Sequence, residues 1–165
     1  MQLILVLETT AKAKTDYIYI KSVFDYYYEN RSVKLTPIYA KCKHELINQS
    51  KKIEREKALY KGKSIVIICA DYDREGEKIN KDIIKYAKNN NCQIVWFNRN
   101  IEEVFLHRTV DKDKTIEAIQ FSRYRNTLVP KLSSIDVSNP LSKRPSSNIL
   151  VIFDLYLNRK NINIT

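Results

Sequence analysis

Glycine is nearly missing from this chain, with two residues in 165, and its three cysteines are scattered. Cys42, Cys69 and Cys92 form no CxxC pair, which argues against zinc and disulfide frameworks and fits reduced thiols. No apolar run approaches the ~20 residues that span a bilayer, so no membrane segment is expected. The opening LILVL, residues 3–7, meets Glu8 at once and shows neither a basic leader nor a small-residue cleavage site. The expected location is therefore the cytoplasm. Internal repeats, low-complexity tracts and a clear linker are also lacking. What remains has the size of one domain, able to bury about two-thirds of its unfolded surface.

Positive charge is in surplus. Lys and Arg total 29 against 19 Asp and Glu, a net charge of +10. Clustered cations gain affinity for phosphates by releasing condensed counterions, so nucleic acid leads the expected partners. The same surplus also serves plain solubility. A partner protein or a second copy of the chain is the other partner to expect. The hydrophobic share of 44% argues for a folded domain.

Apolar patterning predicts alternating strands and helices. Residues 3–7 read as a buried strand, ended by Glu8 and by Thr9 and Thr10, a pair suited to capping the next helix. Ile18, Ile20, Val23, Phe24 and Tyr27 give an apolar stripe to a helix from about Ala11 to Asn30. VKLTPIYA, 33–40, is a second strand, with Pro37 pointing to an edge or a bend. A charged helix over His44–Tyr60, stopped by Gly62, precedes SIVIICA, 64–70, the clearest buried strand. A helix over Glu77–Asn89 and a strand QIVWFN, 93–98, continue the series.

Continuous apolar strands separated by helices imply right-handed crossovers and a mostly parallel α/β sheet of about four strands with helices on both faces. That core covers 1–98. Over 99–165 the rhythm is helical, with helices at Ile101–His107 and Lys114–Tyr124 and a Ser- and Pro-punctuated loop over 127–147. A last helix in SSNILVIFDLYLNRK is capped by Ser146, Ser147 or Asn148. These residues are expected to pack on the core as a helical extension.

ADYDREGEKI, residues 70–79, sets Asp71, Asp73, Glu75 and Glu77 directly after the third strand. Working groups of open parallel sheets sit at the carboxyl ends of the strands. Glu8 comes directly after the first strand; if the first and third strands are neighbours, Glu8, Asp71 and Asp73 share one rim. In extended backbone Asp71 and Asp73 point one way and Tyr72 the other. Carboxylates ~4 Å apart repel by about 4 kcal/mol at an effective dielectric of ~20, so a cation is expected among them. Mg²⁺ or Mn²⁺ is the natural choice, because hard cations take oxygen ligands and bridge to phosphates. Such an ion activates water or stabilises a leaving oxygen. Arg74 and Lys78 stand beside the acids as phosphate contacts, and Gly76 lets backbone approach closely where the next helix begins. Glu75 and Glu77 are expected behind the site, favoured by the helix N-terminal dipole. His44 is expected at the surface, while Tyr26, Tyr27, Tyr28 and Trp96 fit a core better than a base-stacking platform.

ADYDREGEKI resembles the D-P-D-R-E-G-E segment of type IA topoisomerases, and LVLETTAKAKT, residues 5–15, is similar to their V-E-S-P-A-K-A-K-T. Together they look like the two motifs of the TOPRIM domain, a glutamate after the first strand and Asp-x-Asp after the third. The resemblance implies that Glu8, Asp71 and Asp73 form the metal site and carry the catalysis, with Glu8 as general acid or base. Lys12, Lys14 and Arg74 become phosphate contacts. Thr9-Thr10 stands where Ser-Pro is usual, and Tyr72 where Pro is usual. The 165 residues hold neither strand-passage gates nor a domain for a tyrosine nucleophile, so none of the 11 tyrosines takes a catalytic role. WFNRNIEEVFLHR, 96–108, and the late PSSNILVIFDLYL resemble segments of stand-alone RloB-like TOPRIM proteins, a group linked to phage defence and regarded as nucleases. That likeness implies Glu102 or Glu103, together with His107, near the metal rim.

Three function classes fit these residues. A metal-dependent endonuclease acting on DNA or RNA comes first. A non-catalytic TOPRIM module that binds nucleic acid or a protein is second. Phosphoryl transfer through an aspartyl nucleophile is last, because D-x-D phosphatases place their pair after the first strand and Thr or Val where Glu75 stands.

Overall fold

The computed structural model describes residues 1–28, 32–72, 76–138 and 144–160. Among them the sheet contains β1 (Gln2–Leu7), β2 (Lys34–Tyr39), β3 (Ser64–Tyr72) and β4 (Gln93–Asn98), all parallel, in the order β2-β1-β3-β4. The helices are α1 (Thr15–Tyr27), α2 (Ser50–Leu59), α3 (Glu77–Asn89), α4 (Ile101–Leu106), α5 (Lys114–Arg123), α6 (Arg125–Leu128), α7 (Ser134–Ser138) and α8 (Ile149–Asp154). Short 3₁₀ turns occupy Lys43–Asn48 and Val129–Lys131.

The strands read as unbroken apolar runs because the sheet is covered twice. Leu3, Leu5, Leu7, Ile67, Cys69, Val95 and Phe97 face a core completed by α1, α4, α5 and α8. The alternate residues Ile4, Val6, Val66, Ile68, Ala70 and Trp96 face a second core under α2 and α3. Each fully buried Leu or Ile side chain contributes about 1.5–3 kcal/mol relative to exposure, so β1, buried at all six positions, anchors both layers. Pro37 lies opposite Leu5 on the edge strand β2, where a missing N–H is tolerated.

One buried polar side chain crosses this apolar sheet. Gln2 Nε2 donates to Thr36 Oγ1 of β2 at 2.8 Å, and Gln2 Oε1 accepts from Ser64 Oγ of β3 at 2.8 Å. Gln2 is fully buried. Its amide ties β1 to both neighbours at the end of the sheet opposite the acids.

Several boundaries differ from the periodicity. The helix expected from Ala11 begins at Thr15; Thr9 and Thr10 do not cap it, and Lys14 holds the N-cap position in the left-handed region at φ 55°. Instead Thr9 Oγ1 and Thr15 Oγ1 share a hydrogen bond at 3.1 Å, and Thr10 Oγ1 accepts from Ala13 N at 3.2 Å. Both bonds close the loop after β1. The charged helix over 44–60 divides into the 3₁₀ turn and α2, which ends at Leu59 with Tyr60 rather than Gly62 at its C-cap. The stretch expected as loop over 127–147 carries α7 and part of α6, because Val129, Leu132 and Val137 have a core to bury into. Asn148 precedes α8, but its side chain accepts from Trp96 N at 2.8 Å and donates to Ile94 O at 2.9 Å, fastening the start of α8 to β4.

Replacing Gln2 with Leu should lower unfolding stability by about 1–3 kcal/mol in urea titrations, because Thr36 and Ser64 lose a shared buried partner. Stability equal to or above the parent's would show that the amide is not needed to hold the three strands.

Candidate functional site

The carboxyl rim of the sheet is built by the register of β1 and β3. Leu7 pairs with Cys69, so Glu8 leaves β1 one residue later while β3 continues through Ala70 to Asp71 and Tyr72. Glu8 and Asp71 therefore stand on adjacent strand ends, and neighbouring strands lie ~4.8 Å apart. Asp71 is the last-but-one residue of β3 rather than part of a turn beyond it. It pairs with Phe97 of β4, on the layer of α1 and α4. Its Oδ1 accepts from the N–H of Ile101, the first residue of α4, at 3.1 Å. Tyr72 turns to the other layer and meets Trp96 edge-on, with ring centroids 5.4 Å apart. Asp73, Arg74 and Glu75 lie outside the described residues.

Glu8 is half-buried, and its Oε2 is shielded from solvent. The loop after it returns at Thr15, which sets Asp16 on the first turn of α1, near Glu8. Thr15 Oγ1 donates to Asp16 Oδ1 at 3.2 Å. Burial pushes the Asp16 carboxyl up from 3.8 to about 7, with repulsion from Glu102 and, more weakly, Glu8 adding to the rise and the Thr15 bond opposing it. Glu102 on α4 is buried, and its Oε1 pairs with Lys114 Nζ at 3.3 Å. Burial and the Glu102 charge also push the Tyr19 phenol above its ordinary range. The Tyr19 hydroxyl is buried and has no hydrogen-bond partner among the described residues. Asp16 on α1 thus feels carboxylates of two other elements, Glu102 on α4 and Glu8 in the post-β1 loop.

The structure brings some of the other expected groups to the rim and not others. Lys12 and Lys14 are exposed on the loop after Glu8, and Lys78 is exposed on the first turn of α3. Gly76 precedes α3 at φ −93°, a conformation open to any residue. Glu77 is exposed and bonded to Lys81 at 2.7 Å, which holds its carboxyl below the usual range. Glu103 is engaged at the start of α4, which Asn100 caps: Asn100 Oδ1 accepts from Glu103 N at 2.8 Å, Asn100 Nδ2 donates to Glu103 Oε1 at 2.9 Å, and Arg99 bonds the second oxygen at 3.2 Å. His107 sits at the opposite end of α4 from Asp71, with Nε2 3.3 Å from Asp136 Oδ2. Of the Glu102 and Glu103 pair, Glu102 is the one that interacts with Asp16.

Asp16 was not singled out by motif or composition. A signal was available: Tyr19, Ile20 and Val23 come after it at i+3, i+4 and i+7, so an acid heads the apolar stripe of α1. A carboxylate at that position must enter the core edge.

A twofold-covered parallel sheet with acids at adjacent strand ends belongs to the open α/β class that works at its carboxyl rim. The Toprim domain model matches residues 5–100, and the chain belongs to the Toprim domain family. No curated protein and no solved structure matches the chain. Membership gives the chain, in general terms, a metal-dependent function on nucleic acid. No described helix is long and apolar enough to cross a membrane.

The family's divalent ion calls for hard oxygen donors, and Glu8 and Asp71 are such donors on neighbouring strands. Their chemistry fits the ion. Among the described residues no three His, Cys, Asp or Glu side chains converge closely enough to hold it, and Asp73 is not one of those residues.

The raised Asp16 carboxyl gives a pH signature. Between its ordinary 3.8 and its folded value of about 7 the native state holds a proton that the unfolded chain has released, so stability contributed by this group falls as pH rises through that window. Asp16→Asn, which cannot ionise, should flatten this part of the stability-versus-pH curve in urea titrations. An unchanged slope between about pH 4 and 7 would show that Asp16 does not titrate there.

Proposed function

We propose that the chain is a metal-dependent endonuclease of the stand-alone RloB-like type, a cytoplasmic phage-defence protein that hydrolyses phosphodiester bonds of nucleic acid, RNA among the candidate substrates. The observation that carries this reading is the β1–β3 register, which sets Glu8 and Asp71 on adjacent strand ends in a chain of net charge +10. In this reading residues 1–98 form the working core and 99–165 the helical extension.

Asp71, with Asp73 by the motif, holds Mg²⁺ or Mn²⁺. When bound, that ion supplies Lewis acidity at the phosphodiester. Glu8 serves as general acid or base: its carboxylate takes a proton from the attacking water or returns one to the leaving oxygen. The Ile101 N–H bond to Oδ1 fixes the rotamer of Asp71, so the carboxylate is oriented before substrate arrives. In this reading Lys12 and Lys14, exposed on the loop after Glu8, and Lys78, exposed on the first turn of α3, neutralise the incoming backbone, with Arg74 assigned the same role by its place beside Asp73. The resemblance of residues 96–108 and of the α8 segment to RloB-like proteins supports the subtype.

A second reading is a Toprim module that binds nucleic acid without cutting it, which the net charge of +10 supports as well as it supports turnover.

Asp71→Asn and Glu8→Gln should each lower Mg²⁺- or Mn²⁺-dependent cleavage of labelled DNA or RNA by at least ~10²-fold, with circular dichroism and oligonucleotide affinity nearly unchanged. Cleavage at the parent rate by both variants sinks the catalytic assignment. A parent protein that binds in a salt-sensitive way but turns over nothing with either ion identifies the non-catalytic module.

A further inference from the structure

We propose that the free edge of β2 receives an extended, acidic segment of a partner protein as a fifth strand of the sheet. This goes beyond the rim and its chemistry and involves neither metal nor nucleic acid.

The two edges of the sheet are finished differently. Along β4 the chain itself meets the outward groups: Asn148 Oδ1 accepts from Trp96 N at 2.8 Å, Asn148 Nδ2 donates to Ile94 O at 2.9 Å, and Asn98 N donates to Ser146 O at 2.8 Å. Along β2 nothing comparable occurs among the described residues. In a parallel ladder a residue sends its N–H and C=O to the same neighbour, and alternate residues face alternate sides. Lys34 N donates to Met1 O and Ala40 N to Leu7 O, each at 2.9 Å, so Lys34, Thr36, Ile38 and Ala40 turn to β1. Leu35, Pro37 and Tyr39 therefore turn their backbone groups outward, where they meet no hydrogen-bond partner among the described residues. Pro37 has no N–H to offer, which leaves the N–H groups of Leu35 and Tyr39 and the carbonyls of all three. Lys34 and Pro37 are the kind of edge residues that deter unselective pairing, so only a segment complementary to the flanking groups gains from docking.

Two cavities flank this edge, one in each layer, and they define what the added strand carries. A cavity of about 220 Å³ beside Val33 and Leu35 is walled by Tyr17 and Phe24 of α1, where Lys21 and Asp25 pair with each other at 2.6 Å. It suits an apolar side chain. A cavity of about 310 Å³ beside Ile38 faces α2, whose Lys52 and Arg55 outnumber Glu56 and form no ion pair with a described residue. It suits a carboxylate. Leu35 packs in the layer of α1 and Ile38 in that of α2, so residues of an added strand opposite them lie three apart and point to opposite faces, as the two-residue period of a strand requires. Lys34, exposed on the same face of β2 as Ile38, adds a further cation. The occupant is thus an extended segment with an apolar side chain and an Asp or Glu three positions away, bonded main chain to main chain. A second copy of β2 does not qualify, because KLTPIY carries a lysine and no carboxylate.

The test is amide NMR of the full chain titrated with the peptide Thr-Ile-Thr-Val-Glu-Thr and with its reversal, which serve parallel and antiparallel addition. One of the two should shift the Leu35 and Tyr39 amides saturably. N-methylation of alternate peptide amides should abolish those shifts in one phase and spare them in the other, because only one edge of the peptide enters the ladder. Replacing the peptide's Glu with Gln, or Lys52→Ala with Arg55→Ala in the protein, should weaken binding by about 10-fold through loss of a charge-assisted contact. Lys85→Ala with Lys88→Ala, equally exposed but on α3, should leave it unchanged. No saturable shift with either peptide, or equal sensitivity to both N-methylation phases, overturns the inference. Shifts of the same amides with protein concentration alone would assign the edge to a second copy, and stronger shifts with a single-stranded oligonucleotide would assign it to nucleic acid; each of these results overturns it as well.

Discussion

The buried amide of Gln2 is the interaction on which the position of the site depends. Strands of Leu, Ile and Val covered on both faces are chemically repetitive, and a shift of two residues along β1 would again bury apolar side chains on each side. Gln2 breaks that degeneracy because it bonds Thr36 on one neighbour and Ser64 on the other. Any slip leaves a buried amide and two hydroxyls seeking partners, at about 1–3 kcal/mol for each unsatisfied group. Since the strands are parallel, a register pinned at their amino ends is transmitted to their carboxyl ends. There it appears as Leu7 beside Cys69, and hence as Glu8 beside the end of β3.

Much of this architecture was legible in the sequence. The runs SIVIICA and QIVWFN, and the stripe of Ile79, Ile83 and Ala87, mark β3, β4 and α3 because each reports how many faces are buried. The pairing partners of Gln2 were not legible, since they lie 34 and 62 residues away and no periodicity links them. Helix starts failed for a related reason: the threonines after Glu8 suit a cap, but they bond across their own loop once Thr15 is folded against them. Asp71 illustrates a third limit. Its chemistry was evident from its neighbours in sequence, yet its contact with Ile101 arises from the turn after β4, which sets the start of α4 beside the end of β3.

The acids and the cations of this protein solve one electrostatic problem. A chain with net charge +10 nevertheless keeps Asp16 within reach of both Glu102 and Glu8 in partly dry surroundings. Lys114 meets Glu102, and the proton on Asp16 relieves the remaining repulsion near neutral pH. A cation arriving beside Glu8 would disfavour that proton, since a nearby positive charge stabilises the ionised carboxyl. The proton on Asp16 thus answers its burial first and the carboxylate repulsion second, whereas a cation beside Glu8 acts on the repulsion alone.

Backbone strain points to the same rim. With two glycines in the chain, left-handed positions fall to other residues, among them Lys14 at φ 55° and Arg99 at φ 73°. Asn91 and Asp113 are types that tolerate this region, whereas long cationic side chains gain nothing there and cost about 1 kcal/mol or more. Lys14 stands at the entry to α1 and Arg99 at the exit from β4. Arg99 N donates to Tyr72 O at 3.3 Å, which ties the end of β4 to the end of β3. That sharp exit sets Asn100 to cap α4 and turns the Ile101 N–H onto Asp71. The strained residue is thus the condition for orienting the acid: without the left-handed turn at Arg99, α4 would leave β4 in another direction and Asp71 would lose the contact that holds it.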